Sequence, residues 1–271
     1  DLATPSRPPC GAQERKQPSL APASACPAVA AIAVTEADAG SDVPALRTTA
    51  VRDGDEWVIN GRKLYITNGT QADWLCLLAR TSDEGGHRGM SQIIVPTSTP
   101  GYKVARLESK LGQHASDTAQ ILFEDCRIPA EKLLGNEGEG YRIALSNLEG
   151  GRIGIAAQGV GMARAAYEAA LAYAKQRESF GKLLIEHQAV NFHLADMATR
   201  IEVARQMVLH TAVLKDAGRP CLKEASMAKL FSSEIAASVC SDAIQIHGGY
   251  GYVSDFPVER IYRDVRVCQI Y

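Results

Sequence analysis

The spacing of hydrophobic positions changes twice along this chain of 271 residues. Residues 1–29, which begin DLATPSRPPCGAQERKQPSLAPASACPA, are rich in Pro, Ala and Ser and show no period. They read as a linker or a disordered remnant. A signal peptide does not fit, because no charged segment precedes a compact apolar core. From about Ala30 the period becomes that of strands. Apolar runs over residues 73–80, 91–96, 102–107 and 119–128 lie between Gly, Pro and Asp/Ser turns, as expected of a compact β-barrel or sandwich. Within WVINGRKLYITNG, Asn60-Gly61 divides two β-prone runs. Both residues tolerate φ > 0, so the pair predicts the turn of a hairpin.

After Gly135 the period becomes helical. Val190, Leu194, Met197, Ile201, Ala204 and Val208 alternate steps of four and three, a seam of the coiled-coil kind. Gly218 and Pro220 stop that helix. Ala228, Phe231, Ile235, Val239 and Ile246 share one face of a further helix that ends at Gly248-Gly249. Residues 152–177 are Ala-rich nearly all round, as in a central buried helix, and Gly154, Gly159 and Gly161 would permit close contact. The expected class is therefore α+β, with a β middle domain over residues 30–134 and an antiparallel four-helix-type bundle over residues 135–271.

Composition excludes several function classes. Hydrophobic residues make up 46% and charged ones 22%, and the formal net charge is −2, so nothing draws the chain to nucleic acid or an anionic membrane. No apolar run approaches the ~20 residues of a membrane span. The 7 cysteines are scattered without a C-x-x-C pair. They read as reduced thiols, mostly small buried side chains, in a cytoplasmic or mitochondrial-matrix protein. The 6 histidines form no H-E-x-x-H or Cys/His cluster, so no metal is expected.

Five segments carry candidate chemistry. The octapeptide Thr35-Glu36-Ala37-Asp38-Ala39-Gly40-Ser41-Asp42 by itself suits an ordinary turn with an N-cap equally well. By itself, Tyr65-Ile66-Thr67-Asn68-Gly69 is a strand with a half-buried Tyr. The run Arg177-Glu178-Ser179-Phe180-Gly181-Lys182-Leu183-Leu184-Ile185-Glu186-His187-Gln188 could be a helix–loop–helix with solvated charges, which leaves Phe-Gly unexplained. In Gln245-Ile246-His247-Gly248-Gly249-Tyr250-Gly251-Tyr252 the glycines first mean a helix C-cap. Leu148-Glu149-Gly150-Gly151-Arg152 opens the Ala-rich helix, where an acid complements the macrodipole. The stretch from Gly159 to Arg164 lacks the third Gly and the preceding strand of a Rossmann fingerprint.

Taken together and in this order, these segments resemble the signatures of the acyl-CoA dehydrogenases, FAD enzymes that desaturate acyl-CoA thioesters. QIHGGYGYVSDFPVERIYRDVRVCQIY, residues 245–271, is the most specific of them. TEADAGSD is similar to the family's T-E-P-x-x-G-S-D, with Ala37 in place of the usual Pro. The resemblance spans about residues 30–271 and implies FAD as cofactor. It assigns to the flavin Ile32, Val34, Thr35, Gly40 and Ser41, with Tyr65 in place of the usual Trp and the Thr67 hydroxyl facing N5. Arg177 would grip the pyrophosphate of a neighbouring subunit's FAD, since its planar guanidinium pairs bidentately with phosphate. Ser179, Phe180, Leu184, His187 and Gln188 would accompany it, and Gln245 and Gly249 would lie on the adenosine side. Ser41, Glu149, Arg152 and Tyr271 would face the acyl-CoA substrate.

The implied reaction takes the α-proton of the thioester onto a carboxylate while the β-hydrogen leaves as hydride. The family's usual base, a Glu, would follow Tyr271. The position a minority of the family uses matches Gly151, which cannot serve, so no catalytic residue is assigned within the sequence. The family's N-terminal helical domain would be largely absent, so the resemblance implies a chain shortened at both ends. Cys126-Arg127-Ile128-Pro129 and Asn147-Leu148-Glu149 are similar to the short-chain, butyryl-CoA branch. The implied partners are acyl-CoA, an electron-transfer flavoprotein as acceptor, and identical subunits in a dimer of dimers. Two alternatives stay open: a catalytically silent or truncated homologue lacking the base, and an acyl-CoA oxidase-type flavoprotein.

Overall fold

A computed structural model of the chain describes residues 28–271. The expectation for residues 1–29 lies, up to residue 27, outside the described residues. Two compact units emerge. The first ends at Ser109 and resumes over His114–Leu148; the second comprises Lys110–Gln113 and Glu149–Tyr271.

The first unit is built on an eight-stranded sheet. Its strands are β1 (Ala30–Ala33), β2 (Thr49–Asp53), β3 (Glu56–Thr67), β4 (Trp74–Arg80), β5 (Met90–Pro96), β6 (Tyr102–Leu107), β7 (Thr118–Pro129) and β8 (Leu133–Leu134). The order is β6-β7-β3-β2-β4-β5-β8, with β1 beside β4. Strands β1 and β2 run parallel to β4, and the other pairs are antiparallel. This order does not return on itself, so the sheet is mixed and open where the strand spacing predicted a barrel or sandwich. Leu75 to Ala79 of β4 are buried without a break, the pattern of a strand covered on both faces. Leu75 and Leu77 join Trp57, Ile59, Ile121 and Phe123 in the main core. Cys76 and Leu78 pack instead against Ile143 and Ala144, near the start of helix α1 (Gly140–Ala174).

The hairpin at Asn60-Gly61 does not form, because residues 56–67 are one strand of 12 residues. The turn joining β2 to β3 falls at Gly54-Asp55, with Asp53 opposite Glu56 and Gly54 at φ 58°. Asn60 instead faces Asp125 of β7: its Nδ2 donates to Oδ1 at 3.0 Å, and its Oδ1 accepts from the Asp125 N–H at 2.9 Å. The ladder slips here, between Ile59 and Gly61. Gly61 takes φ 148°, and a Cβ there would lie 2.5–2.8 Å from atoms of Thr48. The backbone freedom of Asn-Gly is used for a bulge and a close chain crossing, not for a turn.

The second unit contains the body of α1 with α2 (Gln188–Asp216), α3 (Leu222–His247) and the short α4 (Val258–Val265). Leu194, Met197, Ile201, Ala204 and Val208 of the predicted seam are buried. They share one core with Ala156, Ala163 and Ala170 of α1 and with Ala228, Ile235 and Val239 of α3. Gly218 (φ 66°) follows α2 and Gly248 (φ 62°) ends α3, each at a positive φ that glycine adopts without steric cost.

Two expectations about α1 change. The helix begins at Gly140, so Glu149 lies inside it and the macrodipole at its start does not explain that acid. The cost of Gly150-Gly151, about 1 kcal/mol each, is borne by the packing on either side. The helix is also not buried all round: Gly154, Ala157, Gly161 and Ala165 are exposed. Of the three glycines expected at close contacts, Gly159 alone makes one. A Cβ there would meet the Ser232 carbonyl at 3.3 Å, whereas Gly154 and Gly161 face open space.

Cys76, Cys126, Cys221, Cys240 and Cys268 are free and buried, and burial pushes the Cys76 and Cys240 thiols up to about 12. Among the described residues no helix is long and apolar enough to cross a membrane.

Candidate functional site

In the first unit, the loop after β1 is held down by a buried ion pair. The inward positions of β3 run Trp57, Ile59, Gly61 and then Lys63. Lys63 is 0% exposed and Glu36 only 9%. The Lys63 ammonium donates to Glu36 Oε1 and to the Val34 carbonyl, both at 2.8 Å. Glu36 also accepts the Arg47 N–H at 2.7 Å and the Thr48 N–H at 3.0 Å. One carboxylate thus gathers both ends of the loop. Burial pulls Lys63 down to about 8 against the attraction of Glu36. Burial also works to raise Glu36, but Lys63, Thr48 and Arg47 together hold it below the usual carboxylate range.

Neither member of this pair stood out in the sequence as functional. The available signal was a Lys at an inward strand position, which requires a buried partner.

Beyond Lys63 the ladder slips again, between Lys63 and Ile66. The Leu64 N–H turns away and donates to the Thr35 carbonyl at 2.8 Å. Tyr65 takes φ 57° and is 63% exposed, an uncommon conformation for a bulky residue. Thr67 is also exposed, and Ile66 between them is buried. Of the remaining predicted residues, Ile32, Val34 and Thr35 are half-buried, and Gly40 and Ser41 are exposed.

In the second unit, β9 (Glu178–Ser179) and β10 (Lys182–Leu183) pair across the turn Phe180-Gly181. Both turn residues have positive φ, 53° and 76°, as in a type I′ turn, whose first position favours Asn, Asp or Gly. Phe180 occupies it while 96% exposed. Its ring stands edge-on to His187 at 6.3 Å, and His187 Nε2 donates to the Ser179 carbonyl at 3.0 Å.

Arg177, Ser179 and Leu184 line a cleft of about 620 Å³ together with Tyr173, Ile246, His247, Gly248, Gly249 and Tyr250. The Arg177 guanidinium lies 5.7 Å over the Tyr250 ring. Tyr173 stacks on His247 at 4.4 Å, although Tyr173 belongs to none of the five motifs. Gln188 and Gln245 are exposed and do not line this cleft.

The residues expected on the substrate side make other contacts. Glu149 lies 3.9 Å from the Lys215 ammonium and accepts from the Cys221 thiol at 3.7 Å. Tyr271 donates its hydroxyl to Gln158 Oε1 at 2.6 Å, and burial pushes it up to about 12. Arg152 is half-buried.

The groups present fit a cofactor that carries phosphate and a planar ring. A Cβ at Gly40 or at Gly249 would meet nothing within 4 Å, and neither residue has positive φ. The chain's own packing therefore needs glycine at neither place, and both leave bare backbone open to a close-lying group. Arg177 is exposed at the edge of the cleft, free to pair with phosphate oxygens.

A mixed sheet followed by a helical bundle, with such a cleft, defines the class of protein. The family models for the acyl-CoA dehydrogenase middle domain and the acyl-CoA dehydrogenase C-terminal domain match residues 31–126 and 138–271. The chain belongs to the acyl-CoA dehydrogenase family. An acyl-CoA dehydrogenase of Bacillus subtilis is 49% identical over 89% of this chain, which covers 64% of that relative. The mitochondrial short-chain specific acyl-CoA dehydrogenase of Rattus norvegicus is 44% identical over 96% of this chain and 63% of its own length. Butyryl-CoA dehydrogenase from Megasphaera elsdenii superposes with a TM-score of 0.95 at 41% identity, over 97% of this chain and 69% of the other. The chain thus spans about two thirds of the length of the relatives it matches.

Proposed function

We propose that this chain carries the FAD site and part of the substrate site of an acyl-CoA dehydrogenase that desaturates short-chain acyl-CoA thioesters. The observation that carries this reading is the convergence of Arg177, Ser179 and Leu184 with Gly249, from two separate motifs, on one cleft. Bound FAD supplies the acceptor for the hydride that leaves the β-carbon. Arg177 would hold the pyrophosphate of a neighbouring subunit's FAD, with Ser179, Phe180, Leu184, His187 and Gln188 around it and Gln245 and Gly249 on the adenosine side. Ile32, Val34, Thr35, Gly40 and Ser41 would line the ring, and Tyr65 would pack against it. The Thr67 hydroxyl would donate a hydrogen bond where negative charge builds. On the substrate side, Ser41, Glu149, Arg152 and Tyr271 would meet the thioester. The Tyr271 hydroxyl stays protonated across the physiological range, so it serves as a donor.

An apolar ring held out on a strained turn at Phe180 suits contact with a second copy of the chain, in keeping with a dimer of dimers. Electron-transfer flavoprotein is the proposed acceptor, and the compartment is cytoplasmic or mitochondrial-matrix. The similarity to short-chain specific relatives at 44% identity supports the chain-length assignment.

Titration of the chain with FAD, followed by flavin fluorescence and visible absorption, tests this reading. Saturable binding is expected, and Arg177→Ala should weaken it about tenfold or more, the loss of a charge-assisted pair. A chain that takes up no FAD refutes it. If butyryl-CoA drives oxygen uptake in place of acceptor reduction, the oxidase-type alternative replaces it.

A further inference from the structure

The pair Glu36–Lys63 joins the two segments of the first unit that are assigned above to the flavin. Lys63 stands on β3 two residues before Tyr65, and Glu36 follows Thr35 in the loop after β1. We propose that Lys63 and Glu36 are positioning residues, whose buried ion pair fixes residues 34–48 against Tyr65 and Thr67 and thereby shapes the seat of the flavin. This inference deepens the proposed function and rests on it.

Three observations carry the assignment. The side-chain hydrogen bonds of the pair join the two partners and bind loop backbone: the Val34 carbonyl and the Arg47 and Thr48 amides. The second bulge in β3 withdraws Leu64 from the ladder and gives its N–H to the Thr35 carbonyl at 2.8 Å, so the loop is bound at Lys63 and again at the next residue. A fully buried ion pair is also a poor device for stability alone, because desolvation offsets most of the attraction and an apolar pair of similar volume would serve as well. What such a pair adds is direction: a carboxylate with fixed acceptors admits one arrangement of the amides around it. The charged group facing Lys63 is Glu36. Asp38 and Arg47, on the same loop, pair with each other at the surface at 3.5 Å, and Ile121 stands opposite Lys63 on β7.

The test compares the whole chain with Lys63→Met and with the double variant Glu36→Gln/Lys63→Met. Amide hydrogen exchange is read at Arg47, Thr48 and Leu64 and along β4, beside the unfolding midpoint and FAD affinity. The double variant leaves no buried charge unpaired, so it should keep the parent's midpoint and β4 protection. Exchange should nevertheless rise about 10- to 100-fold at whichever of Arg47 and Thr48 faces the glutamine NH2, which cannot accept, and FAD affinity should fall about tenfold. Lys63→Met alone strands the Glu36 carboxylate and should exceed both effects. Parent-like protection of Arg47 and Thr48 in the double variant overturns the proposal. An equal rise in exchange along β4 and the loop also overturns it, since a role in stability alone gives that result. A loosened loop with unchanged FAD affinity removes the link to the cofactor. If the parent chain takes up no FAD, the cofactor reading fails, and the exchange data alone decide whether the pair positions the loop.

Discussion

In the first unit, the residues assigned to the cofactor rest on buried charge; in the second, they stand on exposed and strained backbone. Glu36 and Lys63 are almost wholly withdrawn from solvent, and the loop they hold has its amides satisfied by a carboxylate. The cleft of the second unit is lined by half-buried and exposed side chains around a buried His247, and its hairpin tip places an almost fully exposed Phe in the left-handed region. The charges of the first arrangement are paired with each other within the chain. The second presents an apolar ring on strained backbone to water at Phe180, as the first unit does in lesser measure at Tyr65, 63% exposed at φ 57°. The two regions thus differ in what holds them: a buried ion pair and the amides it binds fix the loop of the first, and a two-residue turn with one edge-on ring contact holds the hairpin tip of the second.

The sharpest way to break this contrast is at Gly61. Gly61→Val would place a Cβ within 2.5–2.8 Å of Thr48 at a φ of 148°. The strain and the clash together should cost about 3 kcal/mol or more, measured as a fall in the denaturant midpoint. A smaller loss would mean that the loop carrying Thr48 yields easily, and the first unit would then be no more rigid than the second.

Acid provides a second test. The folded-state pKa of Glu36 is lowered, so its contribution to stability is present above about 4.5, the ordinary carboxylate value, and is lost as pH falls through the folded value. The parent should lose stability across that acid window, and Glu36→Gln should flatten this part of the profile. An identical acid limb in both proteins would show that the pair does not govern the loop.

At the exposed end the expected effect is smaller and opposite in sign. Phe180→Asn removes a bulky side chain from a conformation that Asn tolerates well. It should stabilise the chain by about 1 kcal/mol while weakening FAD binding or self-association. Unchanged or lower stability would mean that the Phe180 ring is held by its contact with His187 and that its strain is not kept for a partner.

Much of the fold could be read from periodicity. The helical seam from Val190 to Val208 and the Gly stops at Gly218 and Gly248 follow from side-chain spacing and from the φ that each position requires. Four of the strands begin and end within two residues of their apolar runs. The Asn60-Gly61 hairpin misled because the dipeptide reports that unusual φ is tolerated, not which use the chain makes of it; pairing with Asp125 and passage over Thr48 are long-range facts. The Ala-rich helix misled for a related reason. Small residues permit burial on every side, but packing partners covered only one face.

The candidate site divides along the same line. The amino-acid sequence by itself determined which residue types could serve it: small residues in the loop after β1, an Arg beside Phe-Gly, and glycines beyond a helix end, each legible from local chemistry. Only the tertiary structure decided that Lys63 reaches Glu36, that Tyr65 and Phe180 sit at positive φ, and that Arg177 and Gly249 share one cleft. Such facts depend on register slips and chain crossings between distant segments. Those are fixed by the summed burial of the core, and no short window of residues contains them.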